Sequence, residues 1–165
     1  MTSMDFEDGT QGACPDHWTC DDVGITRLSN NIYNTPSGDF MFIIADDGYR
    51  GNAVSDSLIL PANIDHVQYL HGGGAEDGTS GFWVKRVSDD SILCFSQNGQ
   101  DTDTLFEQQC TGLSSYDGTV VYFEAACTQV GLWSKIMIDN IRLQDSSNND
   151  LHYCFGGEVT GRLMT

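Results

Sequence analysis

The sequence predicts an all-β protein, specifically an antiparallel β-sandwich with jelly-roll topology. Short segments alternate polar and apolar residues with a period of two, which is the pattern of half-buried strands. Turn-forming residues separate nearly all of these segments, and the chain of 165 residues contains 18 glycines. About eight short strands at this spacing are typical of a sandwich or jelly roll, and the chain length is that of one domain.

The strand candidates follow in chain order and are separated by clusters of Gly, Asn, Asp and Ser, residues that favour tight turns. The predicted strands are Asp39–Ala45, Asp56–Leu60, His66–Leu70, Gly81–Val87, Ser91–Ser96, Thr119–Ala126, Ser134–Leu143 and Leu151–Phe155. We expect residues 1–150 to form a single domain. Residues 151–165 are then either its last strand or a C-terminal tail.

In one predicted strand, the alternation of polar and apolar residues shifts by one position. Its apolar residues occupy even positions at Ile136 and Ile138, and then odd positions at Ile141 and Leu143. A β-bulge near Asp139 would let both halves face the same core, and bulges often redirect a side chain towards a site. Asp139 is therefore a candidate functional residue.

The charge balance limits the choice of partner. The chain has 24 acidic and 7 basic residues and a formal net charge of −17, so it would be repelled by nucleic acid and by anionic membranes. The longest wholly apolar run, Phe40–Ala45, is too short to span a bilayer. Cations, neutral sugars and basic protein patches remain as partners, and the charge is equally explained as a means of staying soluble.

Six cysteines, an even number with no Cys-x-x-Cys motif, indicate a disulfide framework and not a zinc ribbon. Disulfides place the chain in an oxidising compartment, so we expect a secreted, extracellular protein. A local pairing is one of several connectivities: Cys14 with Cys20, Cys94 with Cys110, and Cys127 with Cys154. The alternative is a cytosolic chain with free buried thiols.

Enzyme motifs are weak, and we expect a protein that is not an enzyme. The segment His71–Gly74 resembles the oxyanion-hole segment of esterases, but the chain has no Gly-x-Ser-x-Gly nucleophile motif. The four histidines lack the spacing of a zinc site. A jelly-roll polysaccharide hydrolase or lyase that uses Glu107 and Glu124 as its two carboxylates is the remaining enzymatic alternative.

Several segments together resemble a known group of domains. Phe6-Glu7 opens the domain, Ser55–Pro61 reads SDSLILP, Tyr122–Ala125 reads YFEA, and Trp133–Leu143 reads WSKIMIDNIRL. Over roughly Asp5 to Leu143 the chain resembles the MAM-type and carbohydrate-binding jelly rolls of the galactose-binding-like group. The closing IDNI segment is the most specific part of this resemblance.

The resemblance implies that the first and last strands lie side by side and hold a structural Ca²⁺ between them. Glu7 and Asp139 are the expected ligands, because two carboxylates placed close together repel each other unless a cation lies between them. Ca²⁺ takes six to eight oxygen ligands, and Asp39 is the expected additional carboxylate, with Asp46 and Asp47 in reserve. Otherwise, Glu7 and Asp139 are solvated acids at strand ends.

Sugar binding requires an aromatic surface beside polar hydrogen-bonding groups. Trp83, Tyr49 and Tyr116 are the candidate ligand contacts, with Trp18 as a further candidate. Trp83 shares its strand parity with Lys85, which places it on the outward face. Burial in the core is the alternative for each aromatic residue.

The expected function is therefore that of an extracellular, calcium-stabilised module that binds carbohydrate or another cell-surface or matrix ligand. The alternative is an adhesion or assembly subunit that binds a protein partner, including a second copy of itself.

Overall fold

Two antiparallel β-sheets pack face to face, so the predicted fold class, an all-β sandwich of the jelly-roll kind, is confirmed. The structure is a computed structural model, and it describes residues 1, 3–30, 38, 40–45, 48–74, 80–97, 102–128 and 135–156. Among these residues, no helix has the length and apolar character needed to cross a membrane.

Each sheet has a path of five strands and one short strand attached beside it. The first sheet has the spatial order β1 (Trp18–Cys20), β4 (Gly51–Ser55), β10 (Val120–Cys127), β7 (Gly81–Arg86) and β8 (Ile92–Ser96), and β5 (Leu58–Ile59) pairs with β10. The second sheet has the order β2 (Arg27–Asn30), β3 (Phe40–Ile44), β11 (Ile136–Gln144), β6 (His66–Gly73) and β9 (Thr102–Cys110), and β12 (Asp150–Leu151) pairs with β11.

The core lies between the sheets and is built from alternate residues of each strand. In β10, for example, Val121, Phe123 and Ala125 are fully buried. Aromatic rings join the two layers: Tyr69 stacks on Phe82 with ring centroids 4.6 Å apart, and Phe82 packs in turn against Phe123 of its own sheet at 5.3 Å. Since Tyr69 belongs to the second sheet and Phe82 to the first, this stack holds the layers together.

The bulge predicted at Asp139 is present. Asp139 pairs with Leu70, but the next residue of β11 in register with β6 is Arg142, which pairs with Gln68. The intervening Asn140 has a left-handed backbone, with φ of 51°. Ile138 and Ile141 are consequently both buried in the core despite their different parity.

The two ends of the described chain lie side by side. Met4 and Ile141 exchange two backbone hydrogen bonds of 2.9 Å, and Met1 and Tyr153 exchange two of 2.8 Å. After β12 the chain crosses to the first sheet, where Phe155 forms an isolated bridge with Leu58. Tyr153 and Phe155 belong to the buried core, so the compact unit includes the chain up to this point.

Most predicted strands are present with small shifts, but two predictions were too long. Within the predicted strand Asp56–Leu60, only the two residues of β5 are in a strand. Within the predicted strand Leu151–Phe155, only Leu151 is, as the second residue of β12. The prediction missed β1, β2, β4 and β9 altogether. β9 was missed because it is an edge strand in which polar residues occupy most positions on both faces, so its sequence shows no clear alternation.

Two of the three predicted disulfides are formed, namely Cys14–Cys20 and Cys94–Cys110. The predicted link between Cys127 and Cys154 is wrong. Cys127 is buried at the end of β10 that pairs with Gly51, whereas Cys154 is exposed next to Phe155, near the start of β10. The length of a strand therefore separates the two sulfur atoms.

Candidate functional site

Backbone pairing brings the N-terminal segment against β11 and places acidic side chains together. Met4 pairs with Ile141 just after the bulge, and Asp5 and Glu7 follow Met4 in the chain. Both of these carboxylates are close enough to Asp139 for their charges to raise its pKa. The two ligands expected from the sequence, Glu7 and Asp139, therefore lie in the same neighbourhood.

Asp139 is the central residue of this acidic site. Its carboxyl group is fully buried; Oδ1 accepts a hydrogen bond of 2.8 Å from the backbone N–H of Asn140, while Oδ2 has no hydrogen-bond partner among the described residues. Burial raises the pKa of Asp139 to about 8, and the charges of Glu7 and Asp5 add to this effect, against the lowering effect of the Asn140 N–H. A buried carboxylate oxygen without a partner is costly, and a cation would offset that cost.

Glu7 is held in place from the other side of the site. Its Oε1 accepts a hydrogen bond of 3.1 Å from the backbone N–H of Phe40, the first residue of β3. Gly38 has φ of 65°, and a Cβ atom there would come within 2.9 Å of both carboxylate oxygens of Glu7. The left-handed backbone therefore favours glycine here, and the Glu7 carboxylate lies against it.

The remaining expected ligands cannot be placed. Asp39, Asp46 and Asp47 lie outside the described residues. Within the described ranges, no three His, Cys, Asp or Glu side chains are grouped closely enough to hold a metal ion. The sequence reasoning did not select Asp5, which the fold brings to the site because it follows the Met4 pairing.

A second group of polar residues lies on the outer face of the first sheet. Glu124 of β10 forms an ion pair with Lys85 of β7 and also accepts a hydrogen bond from the side-chain amide of Asn52 of β4. The Tyr122 hydroxyl donates a hydrogen bond of 2.8 Å to Asp90, and burial, with Asp90 and Glu124, raises the pKa of Tyr122 to about 12. The partly buried residues of this group lie on three adjacent strands, β4, β10 and β7; they are Asn52, Tyr122, Glu124 and Lys85.

Trp83 and Phe95 add aromatic surface to the same face. They are paired across β7 and β8, with ring centroids 4.6 Å apart, and the Lys85 ammonium lies 5.7 Å from the Trp83 ring centroid. Trp83 thus shares the outer face with Lys85 as predicted, but only 9% of it is exposed. We call this surface the Glu124 face, defined by Asn52, Trp83, Lys85, Phe95, Tyr122 and Glu124.

The three aromatic residues predicted as ligand contacts do not form one patch. Tyr49 is 54% exposed and precedes Gly51, which pairs with Cys127 at one end of β10. The ring of Tyr116 lies 5.8 Å from the Arg86 guanidinium carbon, and Arg86 pairs with Val121 at the other end. At about 3.3 Å per residue, the two tyrosines are separated by roughly 20 Å of strand.

Trp18, the further aromatic candidate, is a core residue. Its indole N–H lies 3.0 Å from the sulfur atom of Met4, and its ring packs edge-on against Phe42 at 5.2 Å.

The two carboxylates considered for an enzymatic mechanism, Glu107 and Glu124, lie far apart in the fold. Glu107 lies on the second sheet beside Arg142, whereas Glu124 lies on the first sheet beside Lys85. The carboxylate pair considered for a glycosidase is therefore divided between two sheets. His71 is fully buried in β6, and burial lowers its pKa to about 3. The start of the His71–Gly74 segment is therefore part of a buried strand.

No protein-family model matches the sequence, and no curated protein matches it either. Solved structures do match the fold. The K2 cleaved adhesin domain of Lys-gingipain has a TM-score of 0.57 and 14% identity, with 86% of this chain and 98% of that chain covered.

Two further structures of different function have the same fold. A cyclase from Fischerella sp. TAU has a TM-score of 0.55 and 18% identity, covering 86% of this chain and 95% of that one. CsCBM6-3 from Clostridium stercorarium, solved in complex with cellobiose, has a TM-score of 0.53 and 10% identity, covering 88% and 95%. At these identities the likeness concerns the fold alone.

Proposed function

We propose that this chain is an extracellular binding module that recognises neutral carbohydrate through the Glu124 face. The observation that carries the proposal is that Asn52 and Lys85 both contact Glu124, beside the Trp83–Phe95 ring pair. Outward positions of a sandwich sheet are ordinarily polar and solvated. An aromatic surface there, combined with charged and amide groups that are largely buried, is typical of a binding surface.

The chemistry of this face suits a sugar. A pyranose ring has apolar C–H surfaces and a polar rim of hydroxyl groups, which both donate and accept hydrogen bonds. Lys85 and Asn52 supply donors, Glu124 supplies acceptors, and Phe95 and Trp83 supply apolar surface. Because Glu124 neutralises Lys85, the face is suited to an uncharged ligand.

Other features support an extracellular location and reversible binding. Two disulfides are stable in an oxidising compartment. The fold is shared with a carbohydrate-binding module solved with cellobiose and with an adhesin domain. Binding to such a surface would involve no chemical step.

A glycan array, followed by titration calorimetry of the best ligand, tests this proposal. We expect Asn52→Ala and Lys85→Met each to weaken binding by about tenfold, because each variant loses one hydrogen bond to the ligand. Thr19→Ala, an exposed change on the neighbouring edge strand of the same sheet, is the matched control. Unchanged affinity in both variants would refute the assignment of this face.

We also propose that Ca²⁺ stabilises the module at the acidic site. Asp139 and Glu7 would hold the ion, with Asp5 close by and Asp39 as a further ligand. Oδ2 of Asp139, which has no hydrogen-bond partner in the described part of the chain, supports this assignment. The ion would neutralise the acids that meet where the N-terminal segment joins β11. The ion would thus hold the N-terminal segment against β11 and would take no part in ligand recognition.

The calcium proposal is tested by thermal unfolding. A chelator should lower the Tm and added Ca²⁺ should restore it, because an ion that binds only the folded state stabilises it. Asp139→Asn should abolish the calcium response, whereas Glu107→Gln, a change of an exposed acid on the second sheet, should retain it. A Tm that does not respond to chelator or to Ca²⁺ would exclude the site.

A second candidate is an adhesion or assembly module with a protein partner, which the likeness to the K2 adhesin domain supports. Concentration-dependent self-association in light scattering, together with a silent glycan array, would favour it over carbohydrate binding.

A further inference from the structure

The outer face of the second sheet carries a separate group of polar side chains. Arg142 and Gln144 of β11 pair across the sheet with Gln68 and His66 of β6, and Gln68 pairs in turn with Gln109 of β9. Asp150 of β12 pairs with Gln144, and Glu107 of β9 lies two positions from Gln109 on the same side. We call this surface the Arg142 face, defined by His66, Gln68, Glu107, Gln109, Arg142, Gln144 and Asp150.

Arg142, at the centre of this face, makes no side-chain hydrogen bond of normal length to any residue that the structure describes. Its guanidinium lies between two carboxylates: Nη2 is 3.8 Å from Oε1 of Glu107, and Nη1 is 3.8 Å from Oδ1 of Asp150. Both distances exceed the length of an N–H···O hydrogen bond. Nε is buried and has no partner among the described residues, so only Nη1 and Nη2 are available to a ligand.

A hydrogen-bonded chain fixes one wall of the face. The Gln144 amide donates to Asp150 at 2.8 Å, and its oxygen lies 3.0 Å from Nε2 of His66. Nδ1 of His66 lies 2.9 Å from Asp65. Because Asp150 can only accept hydrogen bonds, the orientation of the Gln144 amide is determined. Asp150 is thereby held beside Arg142 without forming a close ion pair with it.

The Gln68 and Gln109 amides form the opposite side. The Gln109 amide nitrogen donates to the Gln68 oxygen at 3.3 Å, a long bond between two side chains that each carry a donor and an acceptor. Gln109 is exposed, and Gln68 is nearly buried next to Arg142 in register. The face thus alternates donors and acceptors around the guanidinium.

We propose that the Arg142 face is a second binding site, independent of the Glu124 face, for a neutral polyhydroxylated ligand that presents adjacent hydroxyl groups, such as a saccharide. Each gap is the 3.8 Å separation between an Nη atom of Arg142 and a carboxylate oxygen. A hydroxyl group placed above such a gap can contact both the guanidinium and the carboxylate. It accepts a hydrogen bond from Nη and donates one to the carboxylate. Two adjacent hydroxyls would fill the gaps towards Glu107 and Asp150.

Charge selects this class of ligand. Glu107, Asp150 and Asp65 surround Arg142 and His66 on a chain whose net charge is −17, so an anion would be repelled. A cation would meet the guanidinium directly. Only a group that both donates and accepts, without a charge, satisfies both partners at each gap.

The test uses the full chain and four soluble probes, namely cellotetraose, xylotetraose, maltotetraose and β-1,4-galactotriose, titrated by calorimetry and by ¹⁵N NMR of the arginine side chains. We expect at least one probe to shift the Arg142 side-chain signals. Arg142→Lys keeps the positive charge but loses the planar fork, and it should weaken that binding by about tenfold or more. Arg86→Lys, at an exposed pair with Asp89, is the control and should bind as the native chain does.

Stability separates a binding role from a structural one. If Arg142 serves recognition, Arg142→Lys leaves the Tm of the ligand-free protein unchanged while the part of the probe's stabilising effect that comes from the Arg142 face is lost. A lowered Tm with undiminished probe binding would overturn the proposal.

The proposal depends on the proposed function only for the class of ligand, and the two fail separately. Binding that is lost in Asn52→Ala but retained in Arg142→Lys removes the second site alone. Binding that is lost in Arg142→Lys but retained in Asn52→Ala removes the Glu124 face alone. Failure of every probe to bind would overturn the second site outright.

Discussion

Asp139 shows how one residue connects the pattern of the sequence to the chemistry of the fold. The change of parity in β11 predicts the bulge, and Asp139, the residue at which the bulge begins, is buried near Glu7 and Asp5. The raised pKa is the electrostatic result of that placement. The sequence could not indicate that Oδ2 would find no partner in the described ranges, because this depends on how neighbouring strands pack.

The raised pKa of Asp139 predicts an unusual pH dependence when metal is absent. In chelator, the folded protein holds a proton that the unfolded chain releases between about pH 4 and pH 8. The contribution of this group is therefore fully present below about pH 4 and is lost as the pH rises through 8, at up to about 1.4 kcal/mol per pH unit. Denaturant unfolding in chelator at several pH values measures it.

Asp139→Asn provides the reference for that experiment, because it removes the titrating group and keeps its shape. The free energy of unfolding of the native chain, relative to this variant, should fall from acid to neutral pH. A difference that stays constant or rises with pH would contradict a raised pKa.

Two glycines with nearly the same φ angle allow the cost of backbone strain to be distinguished from the cost of steric overlap. Gly73 has φ of 89° and Gly112 has φ of 87°, but a Cβ at Gly73 would lie 2.2 Å from the Lys135 carbonyl oxygen, whereas a Cβ at Gly112 meets nothing within 4 Å. Gly112→Ala should cost about 1–2 kcal/mol of stability from backbone strain alone. Gly73→Ala should cost about 1–3 kcal/mol more, as overpacking does. Urea unfolding of the two variants decides this, and equal losses would refute the overlap.

At the scale of the element, alternation of polar and apolar residues predicted strands where one face is buried. β7 and β10 follow this rule, since Phe82 and Val84, and likewise Val121 and Phe123, face the core. The prediction failed for β9, an edge strand whose polar residues gave no clear period. It also failed for the short β1, whose place depends on pairing with β4 and not on its own sequence.

The Cys94–Cys110 disulfide joins two edge strands, β8 of the first sheet and β9 of the second, across a separation of 16 residues. A loop of this length contributes about 3 kcal/mol by restricting the unfolded chain. The double variant Cys94→Ala/Cys110→Ala should lose about that amount in chemical unfolding. Cys154→Ser, at an exposed cysteine, should lose little, and similar losses in both would contradict a stapling role for the disulfide.

At the scale of the whole molecule, the fold class was predictable and the site was predictable only in part. Jelly-roll architecture follows from strand number and spacing, and the meeting of Glu7 with Asp139 follows from the resemblance to a group of domains. The Glu124 face was not predicted as a unit, because Asn52 lies on a missed strand and Glu124 contacts Lys85 only once β10 and β7 are aligned. Tyr49 and Tyr116 were grouped in sequence reasoning that had no measure of the distance along β10.

The net charge of −17 predicts a response to salt that is opposite to that of a protein stabilised by ion pairs. Mutual repulsion among the acids destabilises the compact state, and salt at physiological strength screens it beyond about 8 Å. In chelator, the Tm should rise as NaCl is added from low to physiological concentration. Thermal unfolding measures this, and a falling Tm would show that attractive pairs dominate.

The paired backbones of Met1 and Tyr153 determine how the module would respond to tension. A force applied at Met1 and Tyr153 themselves pulls the hydrogen-bonded segments apart sideways, so the Met1–Tyr153 bonds would break before the Met4–Ile141 bonds. Strands that are loaded lengthwise would instead have to break many bonds at once. In an optical trap with handles attached at these two positions, this edge of the module would open at low force.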